Sequence, residues 1–142
     1  MFSKEEAKKI RQEFWIWFGK EFPRKWLLYN TKIKAVTLKF TFTNKKAEVS
    51  LDIEPSDALI RAYYYDKLLS LRGILTNEYL TEAIFDADYT LENGKIISRV
   101  YVTENNVSIY NRKSWDTAAV FLNEKMELLE RFFIEYQDVI DS

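Results

Sequence analysis

The sequence predicts an α+β fold, namely an antiparallel sheet of two hairpins plus a short fifth strand, with three helices packed mainly on one face. Three observations predict it. Two regions alternate apolar and polar residues, each contains a turn signal, and apolar residues recur at helical spacing before, between and after them. The predicted order is α-ββ-α-βββ-α. Because 142 residues is an ordinary domain length, we expect one domain over residues 1–142.

The first helix is predicted from about Ser3 to Phe22. Ser3 followed by Glu6 is the pattern of a capping box. The apolar stripe is broader than one core contact requires, because Trp15 lies at its edge and Ile16 projects to the opposite side. Trp15 and Ile16 are therefore candidate contacts for a homodimer or another partner, beside their ordinary interpretation as core edge and scattered surface residues.

The first hairpin is predicted from two alternating segments, residues 36–43 and 47–54. Matching their apolar faces requires an even number of loop residues, most simply the two residues 44–45. This register places Thr37 opposite Asp52.

Two further helices are predicted, one between the hairpins and one at the end of the chain. The middle helix begins with Ser56 as its N-cap and ends at Gly73. The last begins with Ser114 as its cap and runs to about Asp138, with an apolar stripe wide enough to cover a sheet and touch a neighbouring helix.

The second hairpin is predicted around Asn93-Gly94, a dipeptide typical of two-residue type I′ turns. With a two-residue loop, the register pairs Phe85 with Val102, Ala87 with Val100 and Tyr89 with Ser98, and on the other face Asp86 with Tyr101 and Asp88 with Arg99.

A short fifth strand is predicted after this hairpin, over residues 107–110.

The composition excludes many kinds of chemistry. The chain has no Cys and no His, which removes thiolate nucleophiles, the usual zinc sites, Ser-His-Asp triads and imidazole proton shuttles. It contains no glycine-rich phosphate loop or dinucleotide fingerprint, so we expect no cofactor and lean against an enzyme. The opening MFSKEEAKKIRQEF lacks the apolar stretch of a signal peptide, and no apolar run is long enough to span a membrane. We therefore expect a cytoplasmic protein.

Four carboxylates are the candidate metal ligands: Asp52 and Glu54 on one strand, and Asp86 and Asp88 on another. Clustered carboxylates can hold Mg²⁺ or Mn²⁺ and support hydrolysis. Alternating charges are also what a solvated sheet face carries, and this second interpretation is the one we prefer.

Basic residues concentrate at the start of the chain, where residues 1–46 hold 12 Lys and Arg against 4 Asp and Glu, whereas residues 47–142 hold 9 against 18. Basic side chains interleaved with aromatic ones are typical of nucleic-acid grooves. An isoelectric point of about 5.6 argues against a dedicated nucleic-acid binder. The candidate residues are Lys8, Arg11, Lys20, Arg24, Lys25, Trp26, Lys32, Lys34 and Lys39.

Four segments of the chain form a recognisable pattern, namely SKEEAKKIRQEFW with a following FGK, the amphipathic hairpin after it, GKIISRVY, and VSIYNRKSWD before an aromatic final helix. Together they resemble a small bacterial family, the domain of unknown function 4268. The resemblance implies a domain that occurs alone or at the C-terminal end of longer proteins, some with nuclease-like or defence-associated N-terminal regions. It implies no activity. Between Phe22 and Ile33 this chain is shorter than the longer members.

The sequence thus favours a non-enzymatic binding or interaction module, with an accessory role in bacterial nucleic-acid or defence systems implied by the resemblance alone. The alternatives are a metal-dependent hydrolase or nuclease that uses the four carboxylates, and a structural homodimer.

Overall fold

The computed structural model describes residues 2–142, which form four strands and four α-helices in an α+β arrangement. The strands make one antiparallel sheet in the order β1-β2-β4-β3. The prediction of an α+β fold with an antiparallel sheet is therefore confirmed, whereas the number of helices and strands is not. The elements are α1 Lys4–Glu21, β1 Val36–Phe42, β2 Ala47–Ile53, α2 Ala58–Ser70, α3 Arg72–Glu78, β3 Ile84–Thr90, β4 Ile96–Glu104, a 3₁₀ turn Arg112–Ser114, and α4 Trp115–Asp141.

The hydrophobic core lies between the apolar face of the sheet and the helices. Every residue of β2 is buried, and α4 packs chiefly against this strand. Helix α1 joins the core through Phe14, whose ring centroid is 4.7 Å from that of Phe42 in β1 and 5.2 Å from that of Trp115 in α4. Ser3 forms the predicted capping box with Glu6 at the start of α1. No helix within residues 2–142 is long and apolar enough to cross a membrane.

The first hairpin has the predicted register. Thr37 lies opposite Asp52. The Thr43 N–H donates to the Lys46 carbonyl over 2.8 Å, so the loop consists of the two residues 44–45. Alternation of apolar residues was sufficient here because one face of both strands is buried.

The predicted register of the second hairpin is wrong. The loop has three residues, since the Leu91 N–H donates to the Lys95 carbonyl over 2.8 Å and Gly94 adopts φ +87° at the third loop position. A β-bulge between Asp86 and Tyr89 shifts the pairing again. The observed pairs are Ile84 with Tyr101, Phe85 with Val100, Asp86 with Arg99, Tyr89 with Ile97 and Thr90 with Ile96, so that Asp88 does not face Arg99 and Ala87 does not face Val100.

The middle helix differs from its prediction at both ends. Asp57, not Ser56, caps α2, because its carboxylate accepts hydrogen bonds from the N–H groups of Leu59 and Ile60 at 2.8 and 3.3 Å. The helix ends at Ser70, and Gly73 lies inside a separate helix, α3. Hence four α-helices replace the three that were predicted.

The predicted fifth strand is absent from the described structure: residues 107–110 form an irregular segment. A single backbone hydrogen bond joins this segment to the first hairpin, from the Ile109 N–H to the Thr43 carbonyl over 2.9 Å. The indole Nε1–H of Trp115 donates to the Ile109 carbonyl over 2.8 Å. Ser114 is the N-cap residue of α4, as predicted, but its hydroxyl makes no hydrogen bond to the start of the helix and donates instead to the carbonyls of Ser108 and Asn111. Helix α4 extends to Asp141, beyond the predicted end near residue 138.

Candidate functional site

The face of the sheet opposite the hydrophobic core carries mainly polar side chains, and we call it the polar face. Side chains point alternately to the two faces along each strand, and the registers of the three strand pairs bring the side chains of one face into rows across the sheet. Thr37, Asp52, Arg99 and Asp86 form one row across the four strands. Arg99 therefore lies between two carboxylate-bearing strands.

Arg99 forms a buried ion cluster with Asp52 and Glu48. Its Nε and Nη2 lie 2.8 and 2.9 Å from the two carboxylate oxygens of Asp52, and its Nη1 lies 3.2 Å from Oε1 of Glu48. Arg99 is 2% exposed, and the two carboxylates are each 1% exposed. The two-point contact with Asp52 is the strong geometry of an arginine and carboxylate pair.

Lys46 and Tyr89 complete this cluster on its solvent side. The Lys46 Nζ lies 3.0 Å from Glu48 Oε2 and 3.2 Å from the Tyr89 hydroxyl, which donates to Glu48 Oε1 over 3.3 Å. The Tyr89 ring covers Arg99, with the guanidinium carbon 4.3 Å from the ring centroid. Two cations and two anions balance one another, so the cluster is electrically satisfied without a ligand.

The pKa values around the cluster shift upward. Burial alone lowers the pKa of Arg99 and of Lys46, but the hydrogen bonds from Arg99 to Asp52, and from Lys46 to Glu48 and Tyr89, outweigh it and raise both pKa values. Burial raises the pKa of the Tyr101 phenol, and the neighbouring charge of Glu48 adds to the effect.

These directions predict how stability depends on pH. A pKa that is raised by folding gives stability that is present below the unfolded pKa and is lost as the pH rises through the folded pKa. Lys46 and Tyr101 have ordinary values of 10.5 and 10.0, so we expect the free energy of unfolding to fall above about pH 10. Without His or Cys, it should change little between about pH 6 and 9.

Urea unfolding at several pH values, followed by tryptophan fluorescence, measures this profile. Tyr101→Phe removes one titrating phenol and should reduce the alkaline loss. A steep change in the free energy of unfolding between about pH 6 and 9 would contradict the attribution of the pH dependence to Lys46 and Tyr101.

The four carboxylates predicted as metal ligands are engaged in separate contacts. Asp52 is paired with Arg99, and Glu54 accepts a hydrogen bond from Thr37 Oγ1 over 3.3 Å. Asp86 accepts from the backbone N–H of Asp88 over 3.0 Å, and the Asp88 carboxylate lies 3.6 Å from Arg61 Nη2. Within residues 2–142, no group of three or more acidic side chains is arranged to hold a metal ion.

The basic residues predicted as candidates for nucleic-acid binding divide into two groups, namely arginines that contact other side chains and lysines without acidic partners. Arg24 pairs with Glu130 at 2.8 Å and with Glu127 at 3.7 Å, and its guanidinium covers the Trp26 ring at 4.2 Å. Arg11 donates to the Tyr110 hydroxyl over 3.0 Å. The candidate lysines form no ion pair with an acidic side chain of the described chain; they are Lys8, Lys20, Lys25, Lys32, Lys34 and Lys39.

A groove of about 410 Å³ follows the outer edge of β1, and we call it the edge groove. Four consecutive strand residues, 37 to 40, all line it. Because consecutive strand residues point to opposite faces, a groove that touches all of them runs along the strand edge rather than over one face. The lining residues are Trp15, Leu28, Tyr29, Thr37, Leu38, Lys39, Phe40 and Glu54.

The backbone of β1 is only partly paired at this edge. The N–H groups of Val36 and Leu38 point away from β2, and they donate to the carbonyls of Ile33 and Leu28 at 2.9 and 3.0 Å. Phe40 follows in the same alternation, so its N–H and C=O also point outward. Neither group has a backbone partner in the rest of the described chain.

The aromatic side chains beside the edge groove differ in how accessible they are. The Trp15 ring packs against Phe14 and Phe40, with centroids 4.9 and 6.1 Å apart, whereas Tyr29 is 76% exposed. Ile16, the other residue predicted for a homodimer contact, is 61% exposed and does not line the edge groove. Sequence reasoning did not find the edge groove, because the position of β1 at the sheet edge depends on the order of all four strands.

The fold and these surfaces define a class of α+β protein. The buried charges on its polar sheet face are paired with one another, and the outer edge of β1 is only partly paired. The family model of the domain of unknown function DUF4268 matches residues 10–137. The chain belongs to this family, as the resemblance in its sequence implied. No curated protein and no solved structure matches it.

Proposed function

We propose that this chain is a non-enzymatic binding module and that its ligand site is the edge groove. The observation that carries the proposal is the unpaired outward backbone of Phe40, which lies in a groove walled by Trp15 and Tyr29. An unpaired strand edge is a template for another chain, and proteins usually cover or blunt it. Here the Leu28 segment covers the edge beside Leu38, and the groove leaves the next part accessible.

The buried ion cluster around Arg99 is a weaker candidate for a ligand site than the edge groove. Arg99, Asp52 and Glu48 already satisfy one another, and opening them to bind a substrate would leave buried charges without partners. This favours a structural role for the cluster and a binding role for the strand edge. We further propose that residues 1–142 form one domain, because a single hydrophobic core includes residues from Phe14 to Ile140.

Nucleic acid is the second candidate ligand, and the six lysines without acidic partners favour it. The aromatic side chains favour it less, because Trp26 is covered by Arg24 and Trp15 packs against other rings. Stacking of bases requires a free aromatic face, which leaves Tyr29 as the accessible ring in the groove. An accessory role in bacterial nucleic-acid or defence systems accords with the family resemblance.

Nuclear magnetic resonance titration tests the location of the site. We expect the backbone amide signals of Lys39 and Phe40 to shift when short extended peptides or oligo-dT are added, and we expect Tyr29→Ala to weaken the binding several-fold. Leu59→Ala, which removes an 83% exposed side chain from α2, is the control and should leave binding unchanged. Signals that shift only outside the edge groove, or none at millimolar ligand, would contradict the proposal.

A further inference from the structure

We propose that the occupant of the edge groove is an extended acidic polypeptide segment that adds a fifth strand to the sheet beside β1. This inference rests on the proposed binding function and names its partner. Strand addition supplies affinity through backbone hydrogen bonds, and pockets for alternate side chains supply specificity. Both parts are present at this edge.

The backbone part comes from Phe40. Its N–H and C=O point away from β2 and lack backbone partners in the described chain. An incoming strand can pair with both groups, whereas a nucleic acid has no backbone with alternating donors and acceptors to do so. The polypeptide is therefore the better match to this surface.

The side-chain part comes from the two faces that meet at the strand edge. Phe40 lies on the apolar face beside Trp15, and an incoming segment that pairs with it would place every second side chain on that face. Lys39 lies on the polar face, in the next position. The groove thus accepts a segment that alternates apolar and polar residues.

Charge indicates that the polar residues of the segment are acidic. Lys39 lines the edge groove and also a second depression, on the polar face, whose lining includes Lys46 and Glu48. Lys39 makes no ion pair with an acidic side chain of the described chain. Glu54, the acidic residue of the groove lining, accepts a hydrogen bond from Thr37 and lies beyond the part of the edge that the Leu28 segment covers. An acidic side chain placed beside Phe40 on the polar face would neutralise Lys39.

The same charges disfavour a second copy as the occupant. Pairing of two β1 strands about their Phe40 residues would place the two Lys39 side chains on the same face, at diagonal positions. Like charges this close oppose association, and a lysine on an edge strand is a common protection against self-pairing. We therefore expect the protein alone to form no dimer through β1.

Titrations with designed peptides test the inference, again followed through the amide signals of Lys39 and Phe40. The probe is an eight-residue peptide of alternating valine and glutamate, and its counterpart replaces glutamate with lysine. We expect the acidic peptide to bind at least about tenfold more tightly than the basic one. Lys39→Glu should weaken its binding by about tenfold. Lys45→Glu, an equal charge reversal in the exposed hairpin loop outside the groove, should change it far less.

Backbone methylation distinguishes strand addition from charge attraction alone. One acidic peptide carries N-methyl groups on its valines and another carries them on its glutamates, so that each loses the hydrogen bonds of one edge. One of them should bind at least about tenfold more weakly while the other binds like the parent. Loss with methylated valines indicates an antiparallel strand, and loss with methylated glutamates indicates a parallel one.

The outcomes separate this inference from the proposed function. If oligo-dT or the basic peptide binds the edge groove and the acidic peptide does not, the binding function stands and the acidic strand is wrong. If both methylated peptides bind equally well, strand addition is wrong. If none of the probes shifts the signals of Lys39 and Phe40 at millimolar concentration, both proposals fail.

Discussion

Replacement of Arg99 by methionine is expected to lower the free energy of unfolding by about 3–5 kcal/mol, because it leaves the buried carboxylate of Asp52 without an ionic partner and removes one of the two cations beside Glu48. Asp52 loses both of its bonds to the guanidinium, and Glu48 retains those to Lys46 and Tyr89. Since each carboxylate is 1% exposed, water cannot replace the lost interactions without opening the sheet face. Urea unfolding followed by tryptophan fluorescence measures the change.

A second variant separates the effect of unpaired charge from the effect of altered packing. When Glu48, Asp52 and Arg99 are all replaced by apolar residues of similar volume, no buried charge remains unpaired. Such replacements are often neutral or stabilising, so we expect this triple variant to recover most of the stability that Arg99→Met loses. If Arg99→Met costs less than about 1 kcal/mol, the cluster is less buried than its geometry indicates.

The Arg99 cluster also shows what the sequence could and could not predict. Alternation alone gave the first hairpin and placed Asp52 and Arg99 on sheet faces, because a buried face forces one register. It did not reveal that Asp52, Arg99 and Glu48 meet, since β2 pairs with β4, and this contact joins residues 47 positions or more apart in the chain. A charged strand residue that appears solvated in sequence can therefore be buried by pairing between distant strands.

The errors in the second hairpin have a local cause. Asn93-Gly94 suits both a two-residue and a three-residue loop, because the glycine adopts positive φ in either. The observed loop places it at the third position, and the bulge after Asp86 then moves Asp88 away from Arg99 toward Arg61. Bulges carry no strong sequence signal, so the position of Asp88 could not be derived from alternation.

The edge groove was beyond sequence reasoning for a topological reason. Trp15 and Phe40 were each recognisable as apolar positions, but a groove between them requires β1 to be an outer strand. Had a further strand paired beside β1, the same residues would be buried and Lys39 would lie inside the sheet. The function proposed for this chain thus depends on the strand order β1-β2-β4-β3, which distant pairing determines.

Replacement of Phe14 by alanine is expected to cost about 3–5 kcal/mol, as is usual for a buried phenylalanine. Phe14 has no exposed surface, and it contacts β1 through Phe42 and α4 through Trp115. Thermal and urea unfolding measure the loss. The control is Ile16→Ala on the same helix, where a 61% exposed side chain should change stability by no more than about 0.5 kcal/mol.

The same replacement connects the packing of α1 with binding. Trp15 forms one wall of the edge groove and depends on the docking of α1, so Phe14→Ala should also weaken the binding of the acidic peptide under conditions where the variant remains folded. Ile16→Ala should leave binding unchanged, because Ile16 does not line the edge groove. If the folded Phe14→Ala variant binds the peptide as tightly as the parent protein, α1 supports the core without shaping the site.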